Sequence, residues 1–250
     1  MIADRYGWLL DVYAGSGGAR VGLLGEDGVR YGLRAAFPVS FFVTGPEHRL
    51  AQLREKLERR GFPGVSMAED QRRELFSGEI PGLSIRVEDP ARQPGVFYWA
   101  KRQFPDLDYY DADVPLAMRY TGLHRVYPLA YVHVRVKPPD TIVAISPVVT
   151  GVDLADETPP LRLMTIEPNI DPDYLTPDMV LITSGGKSRR LSLRDPALFV
   201  RRLGQAIAGY DPDVILTRWG DTWLFPQVLD WAEENNLPFN PNRDTEKEIQ

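Results

Sequence analysis

The sequence predicts an α/β protein in two parts: an α+β domain over residues 1–155 and a mixed sheet with flanking helices over 156–250. Three observations carry this. The first forty residues alternate as strands, Gly7–Tyr13, Arg20–Leu24 and Val29–Leu33, separated by Gly15-Ser16-Gly17-Gly18 and Glu26-Asp27-Gly28. Asp-Gly between apolar runs signals a hairpin, because glycine takes positive φ without penalty. The acidic, Pro-containing stretch 151–160 interrupts the pattern and places the boundary. Beyond it, two strands and a turn give way to alternating helix and strand.

In the first part, Phe37–Val43 reads as a further strand. Glu47–Arg60 reads as an amphipathic helix with Leu50, Leu53 and Leu57 on one face, stopped by Gly61. A strand is expected near Leu83–Glu88, an irregular Pro-, Gly- and aromatic-rich stretch over 90–105, and a short helical connection over Tyr109–Gly122. Ala130–Lys137 and Thr141–Pro147 form a strand pair about the turn Pro138-Pro139-Asp140. In the second part the order is strand Leu161–Ile166, strand Met179–Ser184, turn Gly185-Gly186, strand Arg190–Leu193, helix Pro196–Gly209, strand Val214–Leu216 and helix Pro226–Asn236. Asp195 is placed to cap the Pro196 helix, whose first residue suits proline. An antiparallel set followed by helix and strand is the order of an RNase H-like fold, incomplete toward the C-terminus.

Composition narrows the classes. A hydrophobic content of 43% and a charged content of 26% over 250 residues are those of a soluble globular chain with room for two cores. No apolar run is long enough for a membrane span and no secretory leader pattern is present, so a cytoplasmic setting without a membrane partner is expected. The chain has no cysteine, which removes disulfides, thiolate metal sites and cysteine nucleophiles. A net charge of −6 argues against a stand-alone high-affinity nucleic-acid binder, since Lys and Arg supply most of that affinity.

Two segments carry the candidate chemistry. Leu161-Arg162-Leu163-Met164-Thr165-Ile166-Glu167-Pro168-Asn169 is an apolar strand ending in a carboxylate. Asp211-Pro212-Asp213-Val214-Ile215-Leu216-Thr217-Arg218-Trp219-Gly220-Asp221-Thr222-Trp223-Leu224-Phe225-Pro226 is a second strand running into a helix. They resemble the first two proofreading-exonuclease motifs of family B DNA polymerases, an apolar strand ending Asp-x-Glu and a strand leading to Phe-Asp. Upstream, Tyr110-Asp111-Ala112-Asp113-Val114-Pro115-Leu116-Ala117-Met118-Arg119-Tyr120 is similar to the segment that precedes the exonuclease domain in that family, and Asn242-Arg243-Asp244 to the strand opening that follows the second motif. The similarity covers the chain from about Tyr109.

The resemblance implies a relic site. Glu167 falls on the family's Asp, Asn169 on its Glu, and Trp223-Leu224 on its Phe-Asp, so two of three ligand positions are neutral. Two-metal phosphodiester cleavage needs several carboxylates around hard cations, and losing two charges removes the main attraction. Catalytic residues are therefore expected to be absent, with Glu167, Asn169 and Leu224 as relic positions. If the alignment holds, Leu224 lies buried beside Glu167, and Leu224→Asp with Asn169→Glu regains metal affinity. Glu167 and Asp221 are the weak metal candidates. Glu167 is weighed against a pairing with Arg218, and Asp221 against an exposed loop acid.

Trp219 and Trp223 flank the relic site, where they either stack on unpaired bases or fill the vacated pocket. Lys187, Arg189 and Arg190, on the expected hairpin, are the candidates for phosphate contact; Arg72-Arg73 and Arg201-Arg202 are further basic pairs. Asp171 and Asp173 are expected to cap their own turn. His48, His124 and His133 lack metal-ligand spacing. Gly185-Gly186-Lys187-Ser188 lacks the upstream glycine of a phosphate-binding loop and reads as a hairpin turn.

The resemblance thus implies a non-catalytic fragment of a DNA-directed DNA polymerase acting in replication or repair. Nucleotide binding and Mg²⁺ belong to the complete enzyme, and this chain needs no cofactor of its own. Its partners would be template and primer DNA, with a polymerase domain in cis or trans. Two other readings stand beside it: a divergent metal-dependent 3′→5′ exonuclease using Glu167 and Asp221, and a protein-interaction scaffold derived from a polymerase.

Overall fold

The computed structural model describes residues 2–76, 78–148 and 159–244. It is an α/β chain in two compact units, Met1–Pro159 and Pro160–Gln250. The boundary expected at residues 155–156 lies outside the described residues.

The first unit begins with the expected meander. Strands β1 (Ala3–Gly15), β2 (Gly18–Gly25) and β3 (Arg30–Ala35) pair antiparallel in sequence. They are followed by β4 (Val39–Thr44), α1 (Glu47–Arg60), β5 (Val65–Glu74), β6 (Gly78–Val87), α2 (Gln93–Gln103), β7 (Asp108–Tyr110), α3 (Leu116–His124), β8 (Tyr131–Lys137) and β9 (Thr141–Pro147). The meander does not stay open: β8 pairs with β1 along Ala3–Trp8, and the strands close as a barrel in the order β1-β2-β3-β9-β8. Closure rests on one parallel contact, Arg34 against Thr141. Arg34 grips Asp140 with two guanidinium bonds of 3.0 and 2.7 Å and donates its backbone N–H to the Asp140 carbonyl. Gly7 must be glycine here, since a Cβ would sit 2.1 Å from the Leu24 carbonyl oxygen.

The remaining strands form a second sheet, β5-β6-β4-β7, threaded β4-α1-β5-β6-α2-β7. This is the split β-α-β arrangement of ferredoxin-like domains. Leu53 and Leu57 of α1 are buried, Leu50 packs beside them, and Gly61 ends the helix in the left-handed conformation with its N–H on the Leu57 carbonyl. Two elements differ from the sequence expectation. The stretch 90–105 is largely helical, a 3-10 turn at Pro90–Arg92 leading into α2, because Pro94 sits in the first turn of α2, where proline is tolerated, and Gln93, Val96 and Ala100 bury one face. Val65–Glu74 is a strand although its side chains are largely polar; as an edge strand it is held by pairing with β6 over its whole length. The connection over 109–122 is likewise not all helical, since β7 precedes α3.

Part of the segment resembling the family motif is structural. Arg119 donates from Nε to the Val114 carbonyl and from Nη1 to the Ser40 carbonyl, at 3.0 and 2.7 Å, tying α3 to its own lead-in and to β4. Tyr120 is fully buried against Phe37 and His124, and burial pushes its phenol up to about 12. Its hydroxyl finds no hydrogen-bond partner among the described residues. A buried unpaired hydroxyl destabilises, so Tyr120→Phe is expected to hold or raise stability, by up to about 1 kcal/mol, read as the denaturant midpoint at constant slope. A clear loss of stability would mean the hydroxyl has a partner.

The second unit holds β10 (Leu163–Pro168), β11 (Met179–Ser184), β12 (Lys187–Ser192), α4 (Pro196–Tyr210), β13 (Val214–Thr217) and α5 (Phe225–Glu234), with a π-helical turn over Gly220–Leu224 entering α5. The sheet order is β12-β11-β10-β13; the first three strands are antiparallel and β13 runs parallel to β10. The mixed sheet with its helices agrees with the α/β class read from the sequence. A parallel neighbour needs a crossover, which α4 supplies. Its cap is as read from the sequence, the Asp195 carboxylate accepting from the Leu198 N–H at 2.9 Å. Gly185 and Gly186 both take positive φ, 54° and 72°, the paired left-handed conformation of a tight hairpin. One sheet face, through Met164, Ile166, Val180, Ile182 and Leu191, packs on α4 and α5, where Phe199 meets Trp231 edge-on at 5.9 Å. The opposite face leaves Leu163, Leu181 and Leu216 exposed.

Candidate functional site

The two segments singled out in the sequence lie side by side. β10 and β13 pair from Leu163 with Val214 to Ile166 with Thr217, so Glu167 and Arg218 emerge together at the strand ends. Four charged residues set this pairing at its other end. The Asp213 side chain is fully enclosed; its carboxylate accepts the Arg162 backbone N–H at 2.8 Å and the Arg243 guanidinium at 3.1 Å. Asp213 returns its own N–H to the Arg162 carbonyl. Asp211 is bound by the guanidinium groups of both Arg162 and Arg243. Burial alone would raise the Asp211 pKa, but Arg243 and Arg162 outweigh it and hold the carboxyl below its usual range. The Asp-Pro-Asp of the second motif is thus an ion-pair lock on the sheet. Sequence reading placed Arg162 and Arg243 inside family-like segments without giving them this work.

At the open end, strand alternation sends Glu167 to the side of Leu163 and Thr165, away from the face that bears Met164 and Ile166. Its carboxylate lies 3.8 Å from Arg218 Nε, and both side chains are substantially exposed. Such a pair contributes about 0–1 kcal/mol. Asn169 is occupied structurally: its backbone N–H donates to the Met179 carbonyl, its amide nitrogen donates to the Asp178 carboxylate at 2.8 Å, and its amide oxygen accepts from the Met179 N–H. Asp171 accepts the Asp173 N–H, the self-capped turn expected there. Leu224 is 1% exposed and belongs to the core cluster built on Met164 and Ile166. Leu224 is therefore buried as expected, but the Glu167 side chain leaves the sheet on the other face, so the two are not side by side and the alignment that makes Glu167 and Leu224 ligand positions of one centre does not hold.

Asp221 is exposed in the π turn. Trp219 takes a left-handed conformation and its carbonyl accepts the N–H groups of Trp223 and Leu224, so it shapes that turn. Trp223 packs against the core. Lys187, Arg189 and Arg190 are all exposed on the β11–β12 hairpin.

The donor set at the strand ends does not fit a two-metal centre. One carboxylate faces an arginine, the amide at 169 is committed to Asp178, and position 224 offers a hydrocarbon. Among the described residues, no group of three or more His, Asp or Glu is arranged to hold a metal ion, and no helix is long and apolar enough to cross a membrane.

Set beside known proteins, this α/β chain matches no family model and no curated protein. Among solved structures its fold is similar to that of the family B DNA polymerase from the hyperthermophilic archaeon Pyrobaculum calidifontis. The likeness has a TM-score of 0.66 at 22% identity and covers 95% of this chain. It spans 33% of that polymerase. The chain therefore shares its fold with about a third of a family B polymerase.

Proposed function

We propose that the chain is a non-catalytic portion of a family B DNA polymerase architecture, which positions template and primer DNA beside a polymerase domain and has lost proofreading chemistry. The observation that carries the reading is the structural likeness to a family B polymerase over 95% of the chain, combined with a strand-end donor set that is unsuited to two metal ions. Lys187, Arg189 and Arg190, exposed on one hairpin, would meet DNA phosphates. Mg²⁺ and nucleotide chemistry would belong to the complete enzyme in replication or repair.

The test is degradation of a 5′-labelled single-stranded oligonucleotide with Mn²⁺ present, beside Glu167→Ala. No shortening is expected from either protein. Shortening that disappears in Glu167→Ala would establish a metal-dependent exonuclease and overturn the reading. The positioning role has its own readout: adding the chain to a polymerase domain should raise primer extension, and an unchanged extension rate speaks against it.

A further inference from the structure

The end of α1 and the outer face of α2 border an open pocket of about 760 Å³ in the first unit. That is the size of small-ligand sites. Its floor is apolar and aromatic: Val96 is buried, and Phe62 and Trp99 pack edge-to-face with centroids 5.4 Å apart. Tyr98 stands at the rim, 68% exposed. Gly95, Tyr98, Trp99 and Arg102 recur at helical spacing and share one side of α2. Gly95 keeps the space above the first turn open. Its backbone is not left-handed, and an added Cβ would meet nothing within 4 Å.

The charges at this pocket have one sign. Arg60, Arg92, Lys101 and Arg102 line it, and among the described residues no carboxylate does. Arg92 is held by Asp89 at 3.4 Å. Among the described residues the other three have no carboxylate partner; Arg60 lies over the Phe62 ring and Lys101 over the Tyr109 ring. Unneutralised cations in a chain of net charge −6 would draw any polyanion. The ring-lined floor asks for more, a flat apolar group beside the anion. A nucleotide strand supplies both, because phosphates alternate with bases that stack on aromatic side chains, whereas an acidic peptide would leave the rings unused.

We infer that this pocket binds single-stranded nucleic acid, with a base against Tyr98 in the space left by Gly95 and the neighbouring phosphates on Arg60, Lys101 and Arg102. The site is remote in sequence from Glu167, Asn169 and Leu224 and does not depend on the polymerase reading. Failure of primer-extension support would leave it intact.

The test is fluorescence anisotropy on the full chain with a labelled oligothymidylate and a same-length abasic oligomer carrying the same phosphates, with polyglutamate as competitor. The thymidylate should bind about tenfold or more tightly than the abasic strand. Tyr98→Ala and Gly95→Leu should erase that preference. Arg60→Glu with Arg102→Glu should weaken both strands by tenfold or more and flatten the salt dependence. All four positions are exposed, so melting temperatures serve as the folding control. Equal binding of the two strands would reduce the site to a general polyanion patch and overturn the inference. So would stronger displacement by polyglutamate, thymidylate binding that no variant changes, or no binding at all.

Discussion

Leu224→Asp is expected to unfold the second unit at neutral pH rather than create a metal ligand. Leu224 is 1% exposed in a core with Met164, Ile166 and Val228. Truncating such a leucine costs about 2–5 kcal/mol. The carboxylate that replaces it has no cation or donor in that cluster and must be neutralised to remain buried. Raising a carboxyl pKa from its free value to 7 or beyond costs about 4 kcal/mol at pH 7. Together these terms approach the whole stability of a typical domain, about 5–15 kcal/mol.

The sign of the pH dependence separates the two terms. A buried acid whose folded pKa is raised carries no charge penalty below its unfolded pKa, and the penalty grows as pH climbs toward the folded value. The Leu224→Asp defect should therefore shrink by about 4 kcal/mol between pH 7 and pH 4, leaving the packing loss. Leu224→Asn should show the packing loss and its own polar-burial cost at both pH values. Hydrogen exchange of the α4 and α5 amides reads this locally. Adding Asn169→Glu should make matters worse, because the Asn169 amide donates to Asp178 and a glutamate would oppose it. A double variant folded at pH 7 with saturable Mn²⁺ heat would overturn this and revive the metal reading.

The burial of Leu224 was expected from the motif alignment, which also put it beside Glu167 and was wrong on that point, because alternation along β10 sends Glu167 to the other face. α1 was legible from its periodicity: Leu50, Leu53 and Leu57 fix its face and Gly61 its end. The Gly185-Gly186 hairpin declared itself through the one residue type that tolerates two successive left-handed positions. What stayed hidden depends on contacts distant in sequence. Nothing local says that Trp8 will pair with Tyr131, so the meander gave no sign that it would close into a barrel. β5 is a polar edge strand whose order comes from β6, and periodicity is silent on pairing partners. α2 was masked by Pro94, Gly95 and a cluster of aromatics, residues that elsewhere mark loops; its buried face at Gln93, Val96 and Ala100 is short. At the ends of β10 and β13 the residue types were readable, but the commitment of Asn169 to Asp178 and Met179 was not.

The Asp213 lock shows how charged residues in a motif-like segment can be structural, and Asp213→Ala is expected to cost about 3–5 kcal/mol, the range for breaking a buried ion pair by removing one partner. The substitution strands the Arg162 N–H, which points at Asp213 from 2.8 Å, and releases one arm of Arg243. Both groups stand where Leu163 and Val214 begin their parallel pairing, so the damage should spread along β10 and β13. Asp211→Ala should cost far less, because Asp211 is about half-exposed and water can take its place. Its share has a definite pH signature: a carboxyl held below its usual range stabilises at neutral pH, and that contribution is lost as acid protonates it. Asp213→Asn should fall between, keeping an acceptor for the Arg162 N–H while giving up the charge facing Arg243. A double-mutant cycle with Arg243→Met isolates the pair, and a coupling of about 1 kcal/mol or more is expected for side chains in one network. If Asp213→Ala unfolds with the same midpoint as Asp211→Ala, the enclosed carboxylate is not what fixes the register, and the backbone exchange between Arg162 and Asp213 suffices alone.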